Sequence, residues 1–392
     1  MTHRIVSVFG TRPEAIKMAP LVNAIDNSRN LDSSVVVTAQ HREMLDQVLE
    51  LFQIKPDKDL DVMKKRQSLS EITTNVLLKM DEVISSEKPD LLLVHGDTST
   101  TFTAALSAYY NKVPIGHVEA GLRTGDKYAP FPEEMNRNLV GSLADLHFAP
   151  TVGARDNLLS EGIPTDNIFV TGNTVVDALK TSVQSDYKFS DEKLANLALP
   201  SLTSDNDTKL VTLEVHRREN LGEPIENIFK GVKKLVDDFP EIFVLFPVHR
   251  NPAVREPAER ILGNHERIIL TDPLATRDFH NLIARSYMIL TDSGGIQEEA
   301  PSFGVPVLVL RNKTERIEGL RQGTILLTGN ETDRVYKDAS RLLTDGEFYN
   351  TMKNRQNPYG DGNASKRIVD AIDYFFKNID TRPKDYLVTG QD

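Results

Sequence analysis

The chain has 392 residues and no cysteine. That excludes disulfides, a thiolate nucleophile and cysteine-ligated zinc or iron–sulfur centres. It also fits a reducing compartment. No apolar run approaches the roughly 18 residues of a membrane span. The first ten residues lack the basic and apolar blocks of a signal peptide. Two phosphate signatures are missing, G-x-G-x-x-G after a strand and G-x-x-x-x-G-K-[ST]. Their absence counts against a dinucleotide oxidoreductase and a P-loop NTPase. The nine histidines are scattered and H-E-x-x-H does not occur, so no metal site is expected. Positive charge is in deficit, with a formal net charge of −11. This argues against a general nucleic-acid binder. It leaves room for a local basic pocket that takes a small phosphorylated ligand, because net charge describes no single cleft.

What is present is an alternation of short β-branched runs and amphipathic helical stretches. Strand-like runs fall at Ile5–Phe9, Val35–Ala39, Leu91–His95, Ile115–Glu119, Leu146–Ala149 and Ile168–Thr171. The second half repeats them at Leu210–Val215, Ile242–Val248, Ile268–Thr271, Met288–Thr291, Val305–Leu310 and Ile325–Thr328. Continuous apolar strands separated by helices point to parallel sheets covered on both faces. The expectation is an α/β chain with two Rossmann-like, doubly wound domains facing a cleft. The first would cover residues 1–172, with a C-terminal helix at about 363–380 packing back on it. The second would cover 173–362. Between the halves, 182–207 is polar, and its end, SLTSDNDT at 201–208, reads as a linker. In doubly wound sheets ligands bind outside the carboxyl ends of the strands.

Five segments at predicted strand ends carry the chemistry. GTRPEAIKMAP, 10–20, opens a helix after the first strand and sets Arg12 and Lys17 near a helix N-terminus, where anions are favoured. LVHGDTST, 93–100, presents Asp97, which could equally be a helix cap. HVEAGLRTGDKYAPFPEEMNRNL, 117–139, ends a strand at Glu119 and starts a helix at Glu133 and Glu134. There Glu133 and Arg137, four apart, share a face; the plainer reading is an exposed ion pair. VHRREN, 215–220, places His216 at a strand end with Arg217 and Arg218 beside it, and His249 ends the next strand in the same way. An imidazole is the natural proton carrier near neutral pH, although a lone histidine is more often structural. TDSGGIQEEAPSFGVPVLVL, 291–310, offers Ser293, Gly294 and Gly295 at the start of a helix, a phosphate cradle of bare amides and a hydroxyl. Glu299, about one turn further in, suits a ribose diol; an N-capped helix with solvated glutamates explains the same residues. Basic groups would grip a diphosphate, and carboxylates would move protons on a sugar.

GTRPEAIKMAP, HGDTSTTFTAAL, GHVEAGLRTGD, PFPEEMNRNL, HRREN and DSGGIQEEAPSFGVPVL together resemble the non-hydrolysing UDP-N-acetylglucosamine 2-epimerases of bacteria and archaea. The match runs in order from Gly10 to about residue 330. The resemblance implies a glycosyltransferase-B-type fold, a cytoplasmic homodimer, no metal or redox cofactor, and no nucleic-acid or membrane partner. It implies interconversion of UDP-GlcNAc and UDP-ManNAc for cell-surface polysaccharide precursors. The route would be anti elimination of UDP to 2-acetamidoglucal, followed by re-addition. By motif it makes Asp97, Glu119 and Glu133 the acid/base carboxylates and sets His216 by the diphosphate. Arg12, Lys17 and Arg137 would stabilise the leaving UDP. Ser293, Gly294, Gly295 and Glu299 would hold phosphate and ribose, with Phe279 near the uracil. It also implies an allosteric UDP-GlcNAc site of Gln40, Glu43, Arg66, Gln67, Arg217 and His249. For Gln40 and Gln67, ordinary helix-start polarity is the plainer reading. The chain departs from the family at Glu214 and Val215, where small residues are usual, at Ile317, where proline is common, and along RQGTILLTGN, 321–330. Three other readings stand beside the epimerase: a nucleotide-sugar glycosyltransferase, an enzyme that hydrolyses UDP-GlcNAc to UDP and free ManNAc, and a sugar-nucleotide sensor. A simple transferase would not need three carboxylates.

Overall fold

A computed structural model of the chain describes residues 2–38, 42–62, 67–195, 197 and 208–388, with 42–44 described by their backbone alone. The chain divides into two units, Met1–Lys180 with Tyr359–Asp392, and Thr181–Pro358. Among the described residues no helix is long and apolar enough to cross a membrane.

The first unit is built on a seven-stranded parallel sheet, ordered β3-β2-β1-β4-β5-β6-β7. Its strands are β1 (His3–Phe9), β2 (Leu31–Val37), β3 (Lys58–Asp59), β4 (Leu91–His95), β5 (Ile115–Val118), β6 (Leu146–Ala149) and β7 (Ile168–Val170). The helices between them are α1 (Arg12–Asp26), α2 (Arg42–Leu51), α3 (Leu69–Glu87), α4 (Ser99–Tyr110), α5 (Glu133–Leu143), α6 (Val152–Ser160) and α7 (Thr174–Ser182). Every residue of β4 and β5 is buried, as strands with helices on both faces must be. Helix α1 starts where it does because Thr11 accepts from the Glu14 amide while the Glu14 side chain accepts in return, with proline in the first turn.

The second unit carries a six-stranded parallel sheet, ordered β10-β9-β8-β11-β12-β13. A short helix α8 (Glu192–Ala195) precedes β8 (Lys209–Glu214). Then follow α9 (Glu223–Asp238), β9 (Ile242–Pro247), α10 (Pro252–Leu262), β10 (Ile268–Thr271), α11 (Thr276–Ala284) and β11 (Met288–Thr291). The unit continues with α12 (Gly294–Glu299), β12 (Val307–Val309), α13 (Ile317–Gln322), β13 (Ile325–Leu327), α14 (Thr332–Thr344) and α15 (Gly346–Lys353). The last helix, α16 (Ala364–Phe375), belongs to the first unit, where Ile368, Ala371 and Ile372 join the core cluster of Phe9, Met18, Leu93 and Phe148.

Two doubly wound α/β domains are thus observed, as the strand pattern predicts. Their boundaries differ from the expected 172 and 362. The first unit keeps the chain to Lys180 because α7 belongs to its core: Ala178 is fully buried there, and the Asp177 carboxylate accepts from the Ala364 and Ser365 amides at 3.1 and 2.8 Å. It takes the chain back at Tyr359, whose carbonyl accepts from the Asn173 amide at 2.6 Å. The polar stretch 182–207, whose end alone reads as a linker in the sequence, has structure before that end. It holds α8, and its 187–191 part is tied to α11, while 201–207 lies outside the described residues.

Each sheet reverses its strand order at one place, between β1 and β4 in the first and between β8 and β11 in the second. There the connections leave in opposite directions, opening a crevice at the carboxyl ends of the strands. Gly10 and Gly96 follow the strands at the first reversal; Val215 and Asp292 follow those at the second.

Candidate functional site

At the first reversal, one buried carboxylate ties the two loops together. Glu14 Oε2 accepts from the amides of Gly10 and Thr11 at 3.0 and 2.7 Å, and Oε1 accepts from the hydroxyls of Thr98 and Thr101 at 2.7 and 3.1 Å. Burial pushes the Glu14 carboxyl up, against the pull of these donors. Gly96 turns the chain out of β4 at φ +66, a conformation L side chains rarely adopt. His117, on β5, hydrogen-bonds the Gly96 carbonyl through Nε2 at 2.7 Å. An acceptor there requires an Nε2–H tautomer, and burial lowers the imidazole to about 3, so the ring is neutral.

Glu119 stands just beyond β5 at φ +63. For a residue with a long side chain that backbone is strained, and such strain gathers at functional sites. Its carboxylate forms an ion pair with Lys17 of α1 and accepts from Asn173 Nδ2 at 2.8 Å; His95 Nε2 lies 3.8 Å away. Burial alone would raise the carboxyl. The Lys17 ammonium and the hydrogen bonds from Lys17 and Asn173 outweigh it and hold Glu119 far below the ordinary carboxylate range. Neither ring nitrogen of the buried His95 has a hydrogen-bond partner among the described residues. Burial lowers His95 to about 4, so it too is neutral.

Asp97 is one residue beyond the Gly96 turn. Its carboxylate pairs with Arg137 Nη2 at 2.6 Å, and its carbonyl accepts from Asn136 Nδ2 at 2.8 Å. Arg137 Nη1 turns to Glu134 at 2.9 Å. The expected Glu133–Arg137 pair is therefore not the one formed. The guanidinium is taken by Asp97 and by the glutamate three residues back, while Glu133 stands half-buried at the start of α5. Glu134 is buried and accepts from the Thr124 and Gly125 amides at 2.9 and 3.1 Å. Burial works against its charge, but those amides and Arg137 bring its carboxyl below the usual value. Arg12 is half-buried in the first turn of α1. So Asp97 with Arg137, and Glu119 with Lys17, sit on one rim, with Glu133 heading the helix that carries Arg137.

The second reversal has its own cluster. Glu214 and Thr291 are ladder neighbours at the ends of β8 and β11. Thr291 Oγ1 donates to Glu214 Oε2 at 2.7 Å, and Glu214 Oε1 lies 2.6 Å from His216 Nδ1. Asp292, fully buried, accepts from the amides of His216 and Arg217 at 3.1 and 2.9 Å and from Asn220 Nδ2 at 2.9 Å. His216 stacks on His249 with centroids 5.4 Å apart and planes 16° apart. The Glu214 hydrogen bond, opposed by burial, raises the His216 imidazole; burial raises Asp292. Donor atoms of Glu214, His216 and Asp292 lie within 4.8 Å of one another. Their lone pairs are directed at protein donors, however, which does not suit the set to a divalent ion.

Ser293 heads α12, but its hydroxyl makes no capping bond; its amide donates to Thr291 Oγ1 at 2.9 Å. A Cβ on Gly294 would sit tightly against the Arg316 guanidinium, at 3.1 Å. Arg316 is held over the turn by Glu298, at 2.7 Å from Nη2. A Cβ on Gly295 would meet Glu299 Oε1 at 3.3 Å, and Glu299 Oε2 lies 3.8 Å from His280 Nε2. Phe279 is half-buried against the apolar residues beneath α11 and α12. The expected allosteric set is only partly described. Gln40, Arg66 and the side chain of Glu43 lie outside the described residues. Gln67 donates to the Val62 carbonyl at 3.0 Å, a backbone role. Arg217 and His249 flank His216.

The sequence profile of a family described as UDP-N-acetylglucosamine 2-epimerase matches residues 23–373. The chain belongs to that family. It is 54% identical over 369 residues to the UDP-N-acetylglucosamine 2-epimerase of Bacillus subtilis, covering 94% of each chain. The S. aureus MnaA–UDP co-structure is similar at a TM-score of 0.87 and 51% identity, over 99% of this chain and 100% of that one. A UDP-GlcNAc 2-epimerase from Neisseria meningitidis bound to UDP-GlcNAc is similar at a TM-score of 0.83 and 48% identity, over 94% and 99%. A 2-epimerase is an isomerase, and the chain is accordingly an enzyme of that class.

Sequence reading for this epimerase-family chain passed over Glu14, His95, Glu134, Asn173 and Arg316, whereas Glu214 stood out in the sequence as a carboxylate able either to point away or to perturb His216, and the structure shows the second. Two left a signal. Thr11-Arg-Pro-Glu14 is a capping box written out in sequence, and Arg316 lies in the ERIEG segment that departs from the family. The others depend on which strand ends become neighbours.

Proposed function

We propose that this chain interconverts UDP-GlcNAc and UDP-ManNAc by eliminating UDP across C1 and C2, then adding it back at C1 with a proton delivered to the opposite face of C2. The observation that carries the reading is the pairing on one rim of two carboxylates with two cations, Asp97 with Arg137 and Glu119 with Lys17. The C2 hydrogen is not acidic in the ground state. It becomes so as the C1–O bond breaks and positive charge builds on the ring. A carboxylate takes the C2 proton, the C–H electrons become the C1=C2 bond, and the C1–O electrons leave with UDP. The glucal intermediate then receives a proton at C2 on its other face as UDP re-adds at C1.

Asp97, Glu119 and Glu133 are the proposed proton carriers. Arg12, Lys17 and Arg137 are the proposed partners of the leaving diphosphate, whose electrostatic stabilisation carries the largest share of such a barrier. Proton transfer adds a further factor of about 10²–10⁴. The arrangement couples the two. As diphosphate charge develops, it draws on the ammonium and guanidinium paired with Glu119 and Asp97, and each carboxylate is released to take a proton. In the second unit, His216 would face the diphosphate. Ser293, Gly294, Gly295 and Glu299 would hold phosphate and ribose, and Phe279 would lie near the base. Gln40, Glu43, Arg66, Gln67, Arg217 and His249 would take a second UDP-GlcNAc as activator. The enzyme would act as a cytoplasmic homodimer that supplies precursors of cell-surface polysaccharide.

Incubation with UDP-GlcNAc in D2O, followed by proton NMR, tests the reaction. The expected product is UDP-ManNAc carrying deuterium at C2, with no net loss of the C1–O bond. Accumulation of free ManNAc and UDP would replace epimerisation with hydrolysis, and absence of turnover would leave a binding protein or a transferase.

A further inference from the structure

We propose that Glu214 is a positioning residue for His216: anchored by Thr291, it holds the imidazole through Nδ1 and leaves Nε2–H as the outward donor of the second unit's strand-end site. The inference rests on the reading that His216 meets the diphosphate.

The geometry is over-determined. Glu214 ends β8 and Thr291 ends β11, paired in register, so their side chains rise from the same face of the sheet. One carboxylate oxygen accepts from Thr291 Oγ1 at 2.7 Å and the other meets His216 Nδ1 at 2.6 Å. That second contact is slightly shorter than the roughly 2.7–2.9 Å of an ordinary charge-assisted N–H···O bond. Asp292 is the other carboxylate near the ring, with Oδ1 3.8 Å from Nδ1. It does not compete, because its oxygens are occupied by the His216 and Arg217 amides and by Asn220. The further titratable and charged groups facing the ring are Arg217, on its own loop, and His249, stacked on it from the end of β9. His249 Nδ1 accepts from the Asn251 amide, which fixes that ring as a lid on one side of His216. Since Nδ1 is consumed by Glu214, the imidazole can present only Nε2–H to a ligand. A carboxylate on one nitrogen favours the imidazolium and fixes its tautomer when neutral. A charged, fixed donor is what a diphosphate oxygen needs, and it persists to higher pH than an unpartnered histidine would.

Histidine-labelled protein is titrated by NMR, with His216 assigned from His216→Gln, in the wild type, Glu214→Gln and Thr291→Val. In parallel, kcat and KM for UDP-GlcNAc are measured from pH 5.5 to 9. The expected result is a His216 midpoint at lower pH in Glu214→Gln, shifted the same way but less in Thr291→Val. The alkaline limb of kcat should move with it. At pH 8 kcat should fall severalfold, while at pH 6 it should change little. Coincident His216 midpoints in wild type and Glu214→Gln overturn the proposal. So does a shifted midpoint with an unshifted pH–rate profile. Thr291→Val keeps both the imidazole and the carboxylate, so it decides the matter should Glu214→Gln fail to fold. If the wild type turns over no UDP-GlcNAc at any pH, the epimerase reading falls, and the midpoints still decide the Glu214–His216 pair on their own.

Discussion

At the scale of single residues, the first-unit rim separates two kinds of carboxylate. Glu14 and Glu134 are saturated by backbone amides, hydroxyls or a guanidinium, and they build the loops. Glu119 and Asp97 are held chiefly by side-chain cations that a diphosphate can claim. Glu119 lends itself to a direct test. Substitution to glutamine leaves the half-buried Lys17 ammonium against a neutral amide, at a cost of about 1–3 kcal/mol in stability by denaturant titration. Turnover should fall by at least about 10² if the carboxylate moves a proton. The pH dependence follows from the direction of its shift. The group lies below its ordinary value of 4.5 in the fold, so its stabilising contribution is complete above that pH and is lost only as pH falls toward the folded value. Between pH 5.5 and 9 Glu119 stays ionised, and Glu119→Gln should shift neither limb of the stability profile in that window. The sequence showed Asp97, Glu119 and the two cations through motif and strand-end position alone. It did not show that Arg137 would choose Asp97 and Glu134 over Glu133, because a helix-face rule knows nothing of a strand end brought alongside.

At the scale of elements, the apolar runs located the sheets closely. Leu91–His95, Leu146–Ala149, Ile268–Thr271 and Met288–Thr291 are strands from end to end, and Ile115–Glu119 loses only its last residue, where positive φ turns Glu119 out of the ladder. Strand β3 escaped, being only Lys58–Asp59, two polar residues on an edge with no apolar periodicity to read. The 182–207 stretch hid its structure for a related reason. Its composition is that of a linker, but part of it is organised from a distance by one buried side chain. Asp278 of α11 accepts from Tyr187 Oη at 2.7 Å, from the Ser190 and Asp191 amides at 3.0 and 3.1 Å, and from the Ser190 hydroxyl. Asp278→Ala strips all four donors of their acceptor at once, at a cost of about 1–3 kcal/mol for the segment. Because local opening sets proteolytic access, trypsin should cut after the exposed Lys188 some 10- to 100-fold faster in the variant. Amide exchange in β8 to β13 should stay as in the wild type. An unchanged cutting rate would mean that Asp278 does not hold this segment.

At the scale of the whole molecule, the chain's return to its first unit does more than add a helix. Beyond α16 the backbone runs back along β7, the edge strand of the seven-stranded sheet. Asp385 Oδ1 accepts from the Val170 amide at 2.9 Å, and the Tyr386 amide donates to the Val170 carbonyl at 2.7 Å. Arg382 reaches the carbonyls of Asp166 and Ile168 at 2.9 and 2.5 Å, with its guanidinium over Phe169, 4.1 Å from the ring centroid. Tyr386 and Val388 are buried. An uncovered edge strand exposes unpaired amides and carbonyls to water and to other chains, so a tail that is polar in composition serves as the cap of the sheet. The second unit, a single run from Thr181 to Pro358, owes nothing to these contacts. Truncation after Asp380 should therefore act on one unit only. Hydrogen exchange at Ile168–Val170 and in β6 should quicken by at least about tenfold, the effect of roughly 1.4 kcal/mol in local opening, and the truncated chain should associate through its bared edge at concentrations where the full chain does not. Amides of β8 to β13 should exchange at unchanged rates in the same sample. Loss of protection in both sheets together would mean that the two units unfold as one cooperative body, and that the tail stabilises more than the strand it covers.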